Sequence, residues 1–271
     1  MKFVYFLIIL VFCIACSNND NDASLTTNSF LFEDGFETQN NDVDELFESN
    51  GSRWTNIQQT NPSNEISIST TTFSEGQNAL RLLALQSDNV LSKMDIEKEG
   101  FKAFADDLVV IEADFYLNST ANIENLLLID LECCSCWDPT VEDNQCPGVR
   151  LMMSGGNDFL SIERGKISAS NLQQTSLQFP RNEWVTVRWE LTLADDDAGM
   201  NSLSINGNEV IMSNGMNLPN ATIFRELFAE NGIDFTLQEP VFYERVQIGA
   251  TANPTMEDIE LFVDNFSIQI N

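Results

Sequence analysis

The 271-residue sequence predicts an all-β protein, a sandwich or jelly roll built from two antiparallel sheets. From residue 30 onward apolar and polar residues alternate in many short segments, which is the period of a half-buried strand. Gly, Asn, Asp and Pro interrupt these segments at near-regular spacing, as in all-β folds. The stretch "SINGNEVI" contains Asn206-Gly207, a strong signal for a β-hairpin.

The strands can be assigned segment by segment along the chain. Those that fit are 66–70, 79–85, 108–117, 125–133, 149–154, 159–164, 184–193, 202–206, 209–213, 245–250 and 259–270. One short helix is predicted near 221–230, with Asn220 as its N-cap, apolar residues at helical spacing and Gly232 just past its end. No linker divides residues 30–271, so we expect a single domain there.

The N-terminus "MKFVYFLIILVFCIAC" is typical of an export signal. Its apolar run after Lys2 is too short for a hydrocarbon core of about 30 Å, which favours a removed signal peptide over 1–15. "CIAC" resembles the lipobox of bacterial lipoproteins and implies lipidation of Cys16, although Cys13 stands where leucine is usual. Residues 16–29 are polar and acidic and indicate a flexible tether.

The acidic stretch after Cys16 is similar to the surface-export signals of Bacteroidetes lipoproteins. This resemblance implies an outer-membrane lipoprotein exposed on the cell surface, and a periplasm-facing lipoprotein is the alternative. Several acyl chains would hold the protein at the outer membrane permanently.

Composition excludes several classes of function. The chain has 42 acidic and 13 basic residues, a net charge of −29 and no histidine. Such a surface repels nucleic acid and anionic lipid, and it disfavours strongly anionic polysaccharides unless a local basic patch overrides it. The absence of histidine excludes a serine–histidine triad and the common catalytic zinc sites.

Four cysteines lie close together in "ECCSCWDPTVEDNQC": Cys133, Cys134, Cys136 and Cys146. In an exported protein they are expected to form two disulfides. The neighbours Cys133 and Cys134 would close a strained ring, so each should pair with Cys136 or Cys146. A zinc site is the alternative. Trp137, inside this cluster, is either a rigid platform for stacking a sugar ring or a side chain packed onto the disulfides.

Four stretches carry a resemblance to a known superfamily: "FEDGFET", "FSEGQNALRLLA", "NEWVTVRWELTLADDDAGMNSLSINGNEV" and "YERVQIGATA" with "ELFVDNFSI". They resemble the concanavalin A-like jelly rolls, nearest to the polysaccharide-lyase and laminin-G-like branches. The resemblance implies glycan binding or cleavage on the concave sheet. These motifs specify architecture better than activity.

Alternation along the strands indicates which polar side chains share a face. If the strands at 108–117, 125–133, 149–154 and 184–193 lie in one sheet, its open face carries donors and acceptors suited to sugar hydroxyls. The predicted face consists of Glu112, Asp114, Tyr116, Asp130, Glu132, Arg150, Arg188 and Glu190. The alternative is an ordinary solvated face with Arg–carboxylate pairs.

Two catalytic alternatives use the same residues. A lyase needs a base and a cation beside a uronate, which Tyr116 with Arg150 and Arg188 could supply, but lyases of this broad fold commonly pair the tyrosine with histidine. A hydrolase resembling the laminarinase-type glucanases needs a first glutamate where this chain has Leu128. Asp130 and Glu132 would have to form an unrelated carboxylate pair.

A structural calcium ion is expected near the chain ends. Asp264 lies among apolar residues at even positions of "ELFVDNFSIQI", where a buried carboxylate needs a partner. The resemblance implies that the first and last strands are neighbours, often bridged by calcium, which makes Glu37 and Asp264 the candidate ligands. The alternatives are that Asp264 caps a nearby turn by accepting backbone amides, or that it faces solvent because a bulge flips the register.

Together these observations predict a surface lipoprotein that captures glycans for an uptake system and performs no chemistry. The expected contact residues are Tyr116, Asp130, Glu132, Arg150, Arg188, Glu190 and Trp137. The alternatives are a polysaccharide lyase or glycoside hydrolase, and an adhesive or structural protein whose partner is another surface protein.

Overall fold

A computed structural model describes residues 29–87, 92–120, 123, 125–136, 147–165, 170–230, 232, 234, 236–252 and 258–271. Within these ranges the chain forms fifteen strands, a short 3-10 helix at Val43–Leu46 and one α-helix. The first strands are β1 Phe30–Asp34, β2 Asn56–Gln59, β3 Glu65–Ser69, β4 Ala79–Ala84, β5 Ser92–Ala103, β6 Leu108–Leu117, β7 Asn125–Glu132 and β8 Gly148–Ser154. The rest are β9 Phe159–Gly165, β10 Ser170–Gln178, β11 Trp184–Thr192, β12 Met200–Ile205, β13 Asn208–Asn214, α1 Ala221–Glu230, β14 Tyr243–Ala252 and β15 Ile259–Ile270.

The strands form two antiparallel sheets. The eight-stranded sheet has the order β13-β12-β11-β6-β15-β4-β3, and β1 also pairs with β15. The seven-stranded sheet has the order β10-β9-β8-β7-β14-β5-β2. The predicted jelly-roll sandwich of two antiparallel sheets is therefore confirmed.

The core lies between the sheets and follows the predicted alternation. The odd-numbered apolar residues of β6 and β11, such as Phe115 and Trp189, are fully buried. Ile96 of β5, Ile129 of β7 and Ile248 of β14 close the core from the other sheet. The polar residues at the alternate positions of these strands consequently point away from the core on both sides of the sandwich.

The predicted turn and helix signals are also confirmed. β12 and β13 are joined by Asn206-Gly207, whose φ angles of 49° and 74° are those of a tight hairpin turn. The Asn220 side chain caps α1 by accepting hydrogen bonds from the backbone N–H groups of Thr222 and Ile223, at 3.0 and 3.1 Å.

One predicted face is wrong because β15 contains a bulge. Asn265 has a positive φ of 49°, and the pairing of β15 with β6 shifts between Asp264 and Ser267. Before the bulge Val263 faces the core, whereas after it Phe266 does. Asp264 therefore does not share a face with Phe266 and lies outside the core. It does not face solvent, as the bulge alternative expected, because its side chain is fully buried.

Cys133 and Cys136 form a disulfide directly after β7. This pairing agrees with the expectation that Cys133 bonds to Cys136 or Cys146 rather than to Cys134. Cys134 Sγ lies 3.7 Å from Glu132 Oε2. Cys146 and Trp137, like the signal peptide, Cys16 and nearly all of the tether, lie outside the described residues. In the described ranges no helix is long and apolar enough to cross a membrane.

Candidate functional site

The predicted glycan-binding residues do not share one face. β6 and β11 belong to the eight-stranded sheet, whereas β7 and β8 belong to the seven-stranded sheet. Tyr116, Arg188 and Glu190 are therefore on one side of the sandwich. Asp130, Glu132 and Arg150 are on the other. The expectation of a single open face is wrong because alternation assigns side chains to a face but does not say which sheet a strand joins.

Around Arg188 the outer face of the eight-stranded sheet is an ordinary solvated surface. Arg188 donates to Glu190 Oε1 at 2.7 Å and to Glu112 Oε2 at 3.1 Å, and its side chain is 45% exposed. Tyr116 packs against Trp184 and edge-on against Phe262, with ring centroids 5.6 and 5.8 Å apart. These contacts match the cross-strand Arg–carboxylate alternative.

The outer face of the seven-stranded sheet gathers a denser polar cluster, which we call the polar face. Register across four adjacent strands aligns Glu97 of β5 with Gln247 of β14, then Asp130 of β7 and Arg150 of β8. Further side chains point outward from the same strands. The polar face consists of Lys93, Asp95, Glu97, Asp130, Glu132, Arg150, Arg245, Gln247 and Thr251.

Two glutamates at the centre of the polar face share donors. Gln247 Nε2 donates to Glu97 Oε1 at 2.8 Å and to Glu132 Oε2 at 2.9 Å. Arg245 donates to Glu132 Oε2 through Nε and Nη2 at 3.0 and 2.7 Å, and its Nη1 lies 3.3 Å from Glu97 Oε1. Burial works to lower the pKa of Arg245, but the neighbouring Glu132 and Glu97 carboxylates outweigh it and raise that pKa. The guanidinium is thus permanently charged and held in place.

Asp130 and Arg150 form a second pair beside the glutamates. Arg150 Nε donates to Asp130 Oδ2 at 3.0 Å. Gly148 makes this arrangement possible, because a Cβ there would lie 2.8 Å from Asp130 Oδ1 and 2.6 Å from the backbone oxygen of Leu131. A larger residue at Gly148 would displace the carboxylate.

Asp95 differs electrostatically from the other carboxylates of the polar face. Thr251 Oγ1 donates to its Oδ2 at 2.6 Å, and Lys93 Nζ lies 3.7 Å from the same oxygen. Among the described residues no hydrogen-bond partner reaches Asp95 Oδ1, although the side chain is fully buried. Burial raises the pKa of Asp95 to about 7; Lys93 and Thr251 oppose this, whereas the charges of Glu97 and Glu132 add to it.

Burial on the polar face is layered. Asp95, Glu97, Asp130, Glu132 and Gln247 are all at most 2% exposed although they point away from the core. The side chains of the three cations are 15–16% exposed. The carboxylates thus form the floor and orient the cations above them, so donors and acceptors are held at fixed positions.

The sequence-based prediction missed the six members of the polar face that lie on β5 and β14: Lys93, Asp95, Glu97, Arg245, Gln247 and Thr251. The signal was present in β5, where Lys93, Asp95 and Glu97 alternate with Met94 and Ile96. The sequence also predicts strand 245–250, in which Arg245 and Gln247 alternate with the buried Val246 and Ile248.

The predicted calcium ligands Glu37 and Asp264 bind two ends of one loop. Asp264 Oδ2 accepts from the N–H groups of Ser74 and Glu75 at 2.8 and 3.1 Å. Glu37 Oε1 accepts from Gln77 and Asn78 at 2.7 and 3.1 Å.

These backbone N–H groups supply hydrogen bonds to both carboxylates without a cation. For Asp264 this is the alternative in which its carboxylate accepts backbone amides. Among the described residues no group of three Asp, Glu or Cys side chains is arranged to hold a metal. Calcium binding at Glu37 and Asp264 stays a prediction.

The architecture and sheet order define a concanavalin A-like jelly-roll sandwich. Neither a protein-family model nor a curated protein matches the sequence.

Solved structures with a similar fold include an endo-β-1,4-glucuronan lyase from the fungus Trichoderma reesei, with a TM-score of 0.61 and 10% identity over 79% of this chain and 90% of that one. The alginate lyase Aly36B has a TM-score of 0.54 and 12% identity over 89% and 96%. The cellulose-induced protein Cip1 has a TM-score of 0.53 and 13% identity over 88% and 96%. At these identities the likeness concerns the fold alone.

Proposed function

We propose that this protein is a lipid-anchored surface protein that binds glycans on the polar face of its seven-stranded sheet without cleaving them. The observation that carries the proposal is the fixed array of acceptors and donors formed by Glu97, Gln247, Glu132 and Arg245. Sugar hydroxyls both donate and accept hydrogen bonds, so a mixed array of this kind suits them. Preordered side chains also reduce the entropy lost on binding.

The location of the tyrosines supports binding over lyase chemistry. Tyr116 lies on the opposite sheet. Tyr243 lies in the core, where its hydroxyl donates to the backbone oxygen of Asn217 at 2.5 Å. The remaining tyrosine, Tyr5, belongs to the predicted signal peptide, and the chain has no histidine. The polar face therefore has neither of the two usual bases for removing a proton beside a uronate.

A polysaccharide lyase or glycoside hydrolase is the second candidate. Asp95 favours it, because a carboxyl group with a pKa of about 7 is suited to general acid–base work at neutral pH. Two of the proteins with a similar fold are named as lyases, of glucuronan and of alginate. In this case Arg150 or Lys93 would neutralise the substrate.

Two arginines give a matched test of the binding site. Both Arg150 and Arg188 pair with carboxylates, but on opposite sheets. The purified full-length chain is incubated with a panel of neutral and acidic polysaccharides, and bound protein and released products are both measured. Arg150→Ala should weaken capture about tenfold. Arg188→Ala should leave it unchanged.

Each result has a defined reading. If only Arg188→Ala weakens polysaccharide capture, the binding site lies on the eight-stranded sheet instead. Released saccharides with new reducing or unsaturated ends would show that the protein is an enzyme. If the protein neither binds nor cleaves any glycan of the panel, the adhesive or structural alternative is favoured, with another surface protein as partner.

A further inference from the structure

The charges of the polar face indicate the class of glycan, provided that the proposed function holds. Outward from β5, β14, β7 and β8 the face carries four carboxylates and three cations. Glu99 and Glu163 add two carboxylates at its margins. The acidic set is Asp95, Glu97, Glu99, Asp130, Glu132 and Glu163, and the basic set is Lys93, Arg150 and Arg245. The described part of this face is therefore not the basic patch that an acidic polysaccharide would need.

The three cations are also occupied by carboxylates of the same face. Arg245 contacts Glu132 at 2.7 Å, Glu97 at 3.3 Å and Glu99 at 3.7 Å. Arg150 contacts Asp130 at 3.0 Å, and Lys93 lies 3.7 Å from Asp95. A uronate carboxylate entering the face would have to compete with these internal partners for positive charge. It would also meet the repulsion of the surplus acids.

One acceptor atom remains available for a neutral partner. Asp95 is fully buried, yet no described residue donates to its Oδ1. Its cross-strand neighbour on β14 is Gly249, where a Cβ would lie only 2.6 Å from the Asp95 Cβ. The absence of a side chain at Gly249 lets β14 pack closely against Asp95. A buried acceptor without a partner gains most from a donor brought by a ligand.

We propose that the polar face binds an uncharged glycan rather than a uronate polymer, with Asp95 Oδ1 accepting a hydrogen bond from one of its hydroxyl groups. Asp95 is then a specificity-determining residue. Lys93, whose Nζ lies 3.7 Å from Asp95 Oδ2, is the side chain that moves to admit the sugar.

The charge part is tested by calorimetric titration of the full-length chain with neutral β-1,4-glucan and β-1,4-glucuronan hexasaccharides. At about pH 8, where Asp95 is ionised, the neutral ligand should bind at least about tenfold more tightly at low salt. Its affinity should not change with salt, because an uncharged ligand is not subject to screening. Tighter binding of glucuronan would overturn the inference and leave the proposed function standing.

The role of Asp95 is tested with Asp95→Asn, which retains an acceptor for Thr251 but places an amide where the free oxygen was. Affinity for the neutral hexasaccharide should fall about tenfold. Glu209→Gln, at an exposed carboxylate of β13 on the other sheet, is the control and should bind as wild type. The melting temperature of each variant shows that it is folded. Unchanged affinity of folded Asp95→Asn would remove Asp95 from the site, whereas failure of the wild type to bind any glycan would overturn the proposed function itself.

Discussion

Asp95 is the residue at which the fold tolerates an unfavourable charge. Its pKa is 3.8 in an unfolded chain and about 7 in the native protein, so the native state binds the proton more tightly. The contribution of Asp95 to stability is therefore fully present below pH 3.8 and is lost as the pH rises through about 7. A buried carboxylate that lowers the stability of the native protein above pH 7 indicates a functional role for Asp95.

Replacing Asp95 with Asn should stabilise the protein at alkaline pH, because the amide is never charged. At about pH 8 we expect a gain of about 2 kcal/mol, which raises the melting temperature by about 4–8 °C in a domain of this size. At about pH 4 the gain should vanish, since wild-type Asp95 is then protonated. Melting curves at both pH values test this. An equal shift at both would contradict the raised pKa.

Asp264 is the second informative carboxylate. Its two oxygens accept the backbone N–H groups of Ser74, Glu75 and Asn265, and the side chain is fully buried. Asp264→Ala would leave these donors without a partner and should cost about 3 kcal/mol. Asp264→Asn, which keeps one acceptor oxygen, should cost less.

The calcium prediction is tested on the same proteins. If Glu37 and Asp264 bind calcium, the melting temperature of the wild type should rise from excess chelator to millimolar calcium, and that of Asp264→Ala should not. Equal melting of the wild type in both conditions would leave only the hydrogen bonds to the loop.

At the scale of elements, alternation predicted what each strand buries but not which strands become neighbours. β6 and β11 bury the side chains that their sequence indicates, and they pair with each other. β7 and β8 have the same pattern and join the other sheet, because hydrogen-bond partners far apart in sequence depend on the whole topology. The candidate site was half predicted for this reason: Asp130, Glu132 and Arg150 were identified, and their partners on β5 and β14 were not.

Local conformation also limited the prediction. In the sequence, the alternation of β15 reads as one continuous pattern. The bulge at Asn265 shifts this alternation, so odd positions face the core before it and even positions after it. β2, β5 and β10 do not appear among the predicted strands. β2 is short, β5 is rich in charged residues, and β10, with "SNLQQTSLQ", has little apolar alternation.

The disulfide after β7 should stabilise the protein. Cys133–Cys136 closes a small loop, for which chain entropy predicts about 2 kcal/mol. Reductant should therefore lower the melting temperature of the wild type by at least about 4 °C. A Cys133→Ser, Cys136→Ser double variant should melt at a lower temperature without reductant, and its melting temperature should respond less to reductant.

We also expect that the native protein has no titratable thiols and binds no zinc. Four reactive thiols would contradict both disulfides.

At the scale of the whole molecule, the anchor prediction depends on Cys16. The chain carries a charge of −29, so an anionic membrane would repel it and the predicted attachment would require lipid. Cys16→Ser should move the protein from the outer-membrane fraction to the soluble fraction. Cys13→Ser is the matched control and should remain membrane-bound. Retention of Cys16→Ser in the membrane would show that the anchor lies elsewhere.

The pairing of β1 with β15 places Phe30 opposite Ile270. The first and last strands that the structure describes therefore lie side by side, so residues 29 and 271 are close together. Among the described strands, no pairing depends on which loop carries the chain ends. Circular permutation, with residues 29 and 271 joined and new ends cut between Asn206 and Gly207, would keep every strand pair of the described residues while moving the chain ends to a different corner of the molecule.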